Sequence, residues 1–135
     1  MSKIESRVGK IANSDEKIFT FLSDFNNFEK LIPEDKVKNW QSDKESCSFT
    51  VDGVGSAGLK IVEKEPFQTI KIASAEGTPL NFMIWIQLKK LEENDTRVKI
   101  TIEPKVNAMM MPMIKGPLKN FVDMLVEQME KLSFV

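Results

Sequence analysis

The chain contains no histidine and no tyrosine, and its one cysteine is Cys47. Without an imidazole there is no ordinary proton shuttle at neutral pH and no histidine metal ligand, and a Cys–His nucleophile is excluded outright. A single cysteine also excludes a disulfide within the chain. An excess of charge of either sign is missing as well. Lys and Arg number 19 against 20 Asp and Glu, a formal net charge of -1, which offers no long-range attraction to nucleic acid or to an anionic membrane. No stretch approaches the ~20 apolar residues of a membrane span, and Met1-Ser2-Lys3-Ile4-Glu5 lacks the apolar run of a signal peptide. The expectation is a cytoplasmic protein with no nucleic-acid partner, no stable membrane insertion and no bound metal or cofactor.

What is present is an ordered series of amphipathic segments. At 135 residues the chain has the size of one domain, 1–135, able to bury roughly two-thirds of its unfolded surface without disulfides. Ile4, Ser6 and Val8 alternate with Lys3, Glu5 and Arg7, the period of a half-buried strand ending near Ala12. Asn13 and Glu16 have capping-box spacing, and the stripe Ile18, Phe21, Leu22 and Phe25 predicts a helix after them. Beyond an interruption at Asn26-Asn27, Phe28, Leu31 and Ile32 predict a second short helix closed by Pro33.

From Lys36 to about Lys105 the pattern is that of consecutive strands. Cys47, Phe49 and Val51 alternate with polar residues before the turn signal Asp52-Gly53; Leu59 and Ile61 follow, and Pro66 ends that strand. Ile70 and Ile72 precede a turn at Gly77-Thr78-Pro79, Leu80 to Leu88 form the longest apolar strand, and Glu92 to Asp95 turn into Val98, Ile100 and Ile102. Arg97, Lys99 and Thr101 are expected to face water. No crossover helix interrupts the series, so the sheet is expected to be mainly antiparallel. Leu118, Phe121, Val122, Leu125, Val126, Met129 and Leu132 then share one helical stripe, with Pro117 either at its first turn or inside a longer, kinked helix that starts near Pro112. Such an order places a sheet around a terminal helix, a plan that often encloses an apolar cavity.

Individual motifs add little chemistry. Gly53-Val54-Gly55-Ser56-Ala57-Gly58 matches a dinucleotide-binding spacing, but Leu59-Lys60-Ile61 reads as a strand, and without a helix starting at the glycines there is no cradle for a pyrophosphate. Cys47 on an apolar strand face reads as a small buried hydrophobe. Glu63, Glu65, Glu103 and Glu130 fall at positions expected to be solvated, and no catalytic residue is assigned. Met109, Met110, Met111 and Met113 form the most unusual local composition, read either as adaptable pocket lining or as gap filling; with no histidine and Cys47 distant, a thioether copper site is disfavoured. Both faces of the Phe82 to Ile86 strand are apolar: if Met83 and Trp85 point outward they make a patch suited to a symmetric homodimer, and if inward the Trp85 N–H and Gln87 become polar handles of a pocket.

The opening strand, the run Ile18-Phe19-Thr20-Phe21-Leu22-Ser23-Asp24-Phe25-Asn26-Asn27-Phe28 to Pro33, and the terminal helix from Pro117 to Leu132 together resemble the Bet v 1-like, or START-like (SRPBCC), superfamily, with its polyketide cyclase-like and coenzyme Q-binding members. Cys47-Ser48-Phe49, Gly55 and Val62-Glu63-Lys64-Glu65-Pro66 are similar to that superfamily's central strands, and Leu31-Ile32-Pro33 is similar to part of its coenzyme Q-binding proteins. The resemblance implies an α+β helix-grip fold: a curved antiparallel sheet wrapped around a long C-terminal helix, with two short helices after the first strand. It also implies an apolar cavity between sheet and helix, and roles that range over lipid or quinone carriage, polyketide cyclisation, steroid binding and activation of the Hsp90 chaperone. The cavity is expected between Phe49, Ile61, Ile72, Phe82 and Ile84 of the sheet and Phe121, Leu125 and Met129 of the last helix, with Phe21 and Phe25 near its closed end and Gln128 orienting a head group. The expected function is binding or carriage of a small hydrophobic or amphipathic molecule such as a lipid, isoprenoid or quinone, entering a preformed cavity at about 0.8 kcal/mol per buried methylene. A cyclase-like enzyme and a chaperone-activator-like interaction module are the alternatives.

Overall fold

The computed structural model describes residues 3–32, 35, 37–51, 55–75 and 81–131. In chain order these form β1 (Ile4–Glu5), β2 (Gly9–Ile11), α1 (Asp15–Leu22), α2 (Phe25–Phe28), a 3-10 turn at Glu29–Leu31, β3 (Val37–Ser42), β4 (Ser46–Val51), β5 (Gly55–Glu65), β6 (Thr69–Ser74), β7 (Phe82–Glu92), β8 (Asp95–Pro104) and α3 (Met111–Lys131). Every described ladder is antiparallel; β3 to β8 lie side by side in sequence order, and β1 and β2 both pair with β8 at the far edge. This is the α+β plan expected, an antiparallel sheet with the C-terminal helix packed on it. Pro33, Leu80, Leu132 and the turns expected at Asp52-Gly53 and Gly77-Pro79 lie outside the described residues.

The inner face of the sheet is written in the register. Ile61 pairs with Ile72, Ile72 with Ile84, Ile84 with Ile102 and Ile102 with Ile4, so one row of isoleucines crosses five strands. Directly opposed residues share a face and their β-branched side chains pack on one another. Each such side chain, once buried, contributes roughly 1.5–3 kcal/mol. The neighbouring row on the outer face is Lys71, Trp85, Thr101 and Glu5, which puts Met83 and Trp85 outside, half-buried, with the Lys3 ammonium 5.2 Å from the Trp85 ring. Thr101 is not solvated as expected: it is buried in this outer row and donates its hydroxyl to Gln87.

The first strand departs from the simple alternation. Ile4 pairs with Ile102 and Glu5 with Thr101, but Gly9 pairs with Val98, so one extra residue is accommodated between β1 and β2. A bulge of this kind shifts the side-chain parity. Ile4, Ser6, Gly9 and Ile11 therefore face inward, and Val8, expected inside, is 59% exposed. The helix starts also move. Ser14, not Asn13, caps α1 by accepting the Lys17 N–H at 3.2 Å, while the Asn13 side chain accepts from Ser14 N–H. Asp24 caps α2, so the break falls at Ser23-Asp24 and Asn26-Asn27 lie within the second helix.

α3 is the longer of the two expected helices and runs through Pro117; its buried stripe is Ile114, Leu118, Val122, Leu125, Val126 and Met129. It meets the first strand at Gly9, where a Cβ would stand 2.4 Å from Val126 Cγ1. Two carboxylates of α3 then take up main-chain donors around the bulge: Arg7 N–H donates to Asp123 at 2.7 Å and Lys10 N–H to Glu130 at 2.8 Å, while the Arg7 guanidinium also binds Glu130. Glu130, expected to be solvated, is thus engaged. The Arg7 hydrogen bond, with help from Lys10 N–H, holds its carboxyl below the ordinary glutamate range.

Two predictions follow from this junction. Gly9→Ala should destabilise the fold by about 1–3 kcal/mol through overpacking, and Val126→Ala in the same chain should recover part of the loss, so that the double variant melts higher than the sum of single effects requires. Because the folded state lowers the Glu130 pKa, its contribution is present at neutral pH and is lost on acidification below about pH 4.3 as the carboxylate protonates. Glu130→Gln should therefore lower the melting temperature at pH 7 and leave it closer to wild type near pH 3, as read by thermal denaturation.

Candidate functional site

Between the sheet and the middle of α3 lies a cavity of about 50 Å³ whose wall is entirely apolar. Its floor is the rigid part: Ile72, Ile84, Ile86, Ile100 and Ile102 come from the central strands β6 to β8 and are all buried. Leu118, Phe121, Val122 and Leu125 of α3 form the roof, at the i, i+3, i+4, i+7 positions of one helical face. Phe49, Ala57, Leu59 and Phe82 continue the wall, and Phe28, Ile32, Trp40 and Gly55 complete it on the side of the short helices. With no polar atom to bind water, a space of this size stays dry. At about 24 cal/mol per Å³, leaving it empty costs the fold roughly 1 kcal/mol.

Trp40 reaches this wall because of a second irregularity. Lys38 pairs with Thr50 and Gln41 with Ser48, so Asn39 and Trp40 together oppose Phe49. Asn39 adopts a φ of 58°, a left-handed conformation that Asn tolerates better than most residues, and the bulge turns Trp40 onto the inner face. There Trp40 stacks on Phe49 with ring centroids 5.4 Å apart, and Phe49 faces Phe121 of α3 at 6.4 Å. The Trp40 N–H donates to Ser42 Oγ, whose hydroxyl donates to Asn26, tying the edge strand to α2. Ile32 and Trp40 also border an outer groove that carries Glu29 and Lys30, so these two side chains separate the apolar interior from a charged, solvent-facing surface.

The residues anticipated from sequence divide into two groups. Phe49, Ile72, Phe82, Ile84, Phe121 and Leu125 lie on the cavity wall. The other five do not. Phe25 and Met129 are fully buried in the core, Phe21 is half-buried with the Lys30 ammonium 5.9 Å from its ring, and Ile61 packs on the core beyond the wall. Gln128 is half-buried and also absent from the wall, so the charged groove, not Gln128, offers polar groups next to the cavity. Sequence reading missed Trp40, Phe28, Leu118 and Val122; the αL-tolerant Asn39 in the middle of a strand was the available signal for the first of these.

Acid–base and metal chemistry find no footing on this wall. No titratable side chain lines it, and among the described residues no cluster of His, Cys, Asp or Glu could hold a metal ion. Cys47 is buried beside Leu59, and burial pushes its thiol up to about 12. Gly55 to Glu65 is one strand, so no helix starts at these glycines to bind a nucleotide phosphate. No described helix is long and apolar enough to cross a membrane.

No protein-family model and no curated protein matches the sequence. Solved structures do match. A START superfamily protein from Mycobacterium smegmatis is similar at a TM-score of 0.72 and 16% identity, over 95% of this chain and 94% of that one. A norcoclaurine synthase point mutant from Thalictrum flavum, in complex with a transition-state analogue, is similar at 0.70 and 14%, over 95% and 93%. The Aha1 dimer from Colwellia psychrerythraea is similar at 0.64 and 22%, over 97% and 98%. The chain therefore has the START/Bet v 1-like fold, an antiparallel sheet with a long C-terminal helix packed on it and two short helices after the first strands.

Cys47 gives a direct check on how tightly the interior is closed. In the folded protein a thiol-specific chromogenic reagent at mildly alkaline pH should leave it unmodified, and one equivalent should react on unfolding in denaturant. Rapid modification of native protein would show that β4 and β5 open readily.

Proposed function

We propose that this protein binds a small hydrophobic or amphipathic molecule, such as a lipid, isoprenoid or quinone, in the space between the sheet and α3. The dry, wholly apolar cavity is the observation that carries this reading. A preformed pocket for a drug-sized ligand has roughly 300–1,000 Å³, so the ligand enters here by displacing side chains and not by filling a vacant chamber. The yielding wall is the one made of half-buried residues, Ile32, Trp40 and Phe121, and the central-strand isoleucines remain as the floor. An apolar chain inserted between Trp40 and Phe121 would exchange water for the isoleucine floor at about 0.8 kcal/mol per methylene. A polar head left outside would lie beside Glu29 and Lys30.

Catalysis of the cyclase type fits less well, since no acid or base on the wall would meet a reacting carbonyl. The near-filled interior favours one other reading, a protein-interaction module like the chaperone-activator members of this fold.

The test uses a Trp85→Phe chain, in which Trp40 is the remaining tryptophan and reports on the wall directly. Titration with a fatty acid, an isoprenoid alcohol and a quinone analogue should change Trp40 emission saturably, with a Kd in the micromolar range for at least one of them. Ile84→Trp, which fills the cavity from its floor, should weaken that binding by about tenfold or more, after circular dichroism has confirmed folding. No saturable binding across the panel would overturn the carrier reading and move weight to the interaction module.

A further inference from the structure

The methionine cluster is not absorbed by the cavity, because Met109, Met110 and Met113 point away from it. Met109 is 85% exposed, Met113 75% and Met110 40%. The exposure is built into the local structure: Asn107 Oδ1 accepts the Met110 N–H at 3.0 Å, and Met113 N–H then donates to Met110 O at 3.0 Å, so an ordered turn presents these side chains at the start of α3. A thioether held in water forgoes the burial it could gain elsewhere, and adjacent exposed methionines commonly mark a surface that seats apolar groups of irregular shape.

Along the chain, the charge next to them is of one sign. Residues 105–119 include Lys105, Lys115 and Lys119 and no acidic residue, although the whole chain carries a net charge of -1. Lys105 and Lys115 are exposed and border one groove with Glu103, Ala108, Met111 and Pro112; Lys3, Lys115 and Lys119 border a second depression with Glu5 and Pro112, so lysines outnumber acids in both. Lys119 is held by Asp123 at 2.8 Å, and of the acids close by, Glu5 is paired with Lys99 and Glu103 is half-buried. The patch also has a meaningful position. β4 and β6 finish, β5 and β7 begin, and β8 runs on toward α3 at the same end of the sheet, and the cavity residues Phe49, Gly55, Phe82, Ile102 and Leu118 all belong to that end.

We propose that the turn from Met109 to Met113, flanked by Lys105 and Lys115, docks on an anionic lipid bilayer. The methionines enter the boundary between head groups and acyl chains, and the lysines remain at the level of the phosphates. A second copy is a poorer occupant, because a two-fold contact would set these lysines against their own copies. The low overall charge makes the attachment short-range, reversible and sensitive to salt.

Flotation of the full chain with vesicles tests the docking separately from cargo binding. Wild type should float with phosphatidylcholine vesicles that contain phosphatidylglycerol, float little with phosphatidylcholine alone, and be released as salt is raised. Lys105→Gln with Lys115→Gln should weaken binding about thirtyfold, and Met109→Ser with Met113→Ser should weaken it as well, with both variants melting like wild type because the substituted side chains are exposed. No flotation with anionic vesicles, or flotation unchanged by both double variants, would overturn the proposal. If soluble ligands still saturate Trp40 in that case, the carrier reading stands and docking alone fails; if vesicles bind but no ligand does, docking stands and the carrier reading fails.

Discussion

The contact on which the rest depends is the approach of α3 to the first strand at Gly9. With a hydrogen in place of a side chain, Val126 packs against the strand backbone, and the helix axis is set at a height that a Cβ would not permit. The bulge between β1 and β2 makes this contact possible by turning Gly9 inward and freeing the N–H groups of Arg7 and Lys10, which Asp123 and Glu130 accept. Packing, backbone hydrogen bonding and charge thus converge on the C-terminal half of the helix. The cavity lies under the middle of the helix, from Leu118 to Leu125, and this stretch shares with the clamp the Asp123 carboxylate, which accepts from the first strand.

That arrangement bears on the proposed binding. A helix held at one end over a floor of isoleucines can keep its place while aromatic side chains at the other end rearrange. The Trp40, Phe49 and Phe121 rings come from an edge strand, its neighbour and the helix roof, and two of the three are partly exposed. Opening between them disturbs few central contacts. The wall carries no titratable group, so no side chain on it can move a proton.

Charge is arranged around this interior and not within it. Lys30 and Glu29 stand outside Trp40, Lys3 covers Trp85 on the outer face, and Lys105 and Lys115 flank the exposed methionines along the chain. A net charge near zero therefore averages over patches of distinct character. Long-range attraction follows the average, whereas docking at contact distance follows the patch.

The sequence by itself determined the period of each segment, and with it the antiparallel sheet, the row of inward isoleucines, the buried stripe of α3 and the apolar character of whatever lay between them. These follow from local spacing, because a period of two or of 3.6 places side chains on a face whatever the rest of the chain does. Tertiary structure alone decided the bulges at the first strand and at Asn39, which reversed Val8 and brought Trp40 inside, since a bulge depends on how two strands match and not on either one alone. It also decided where along α3 the cavity falls. A helical stripe is uniform in sequence, yet Phe121 and Leu125 line the wall while Met129, one turn further on, is fully buried on the side of the Gly9–Val126 contact. Cavity volume belongs to the same class: it is the small remainder after large side chains from eight elements have packed, and no spacing rule records a remainder.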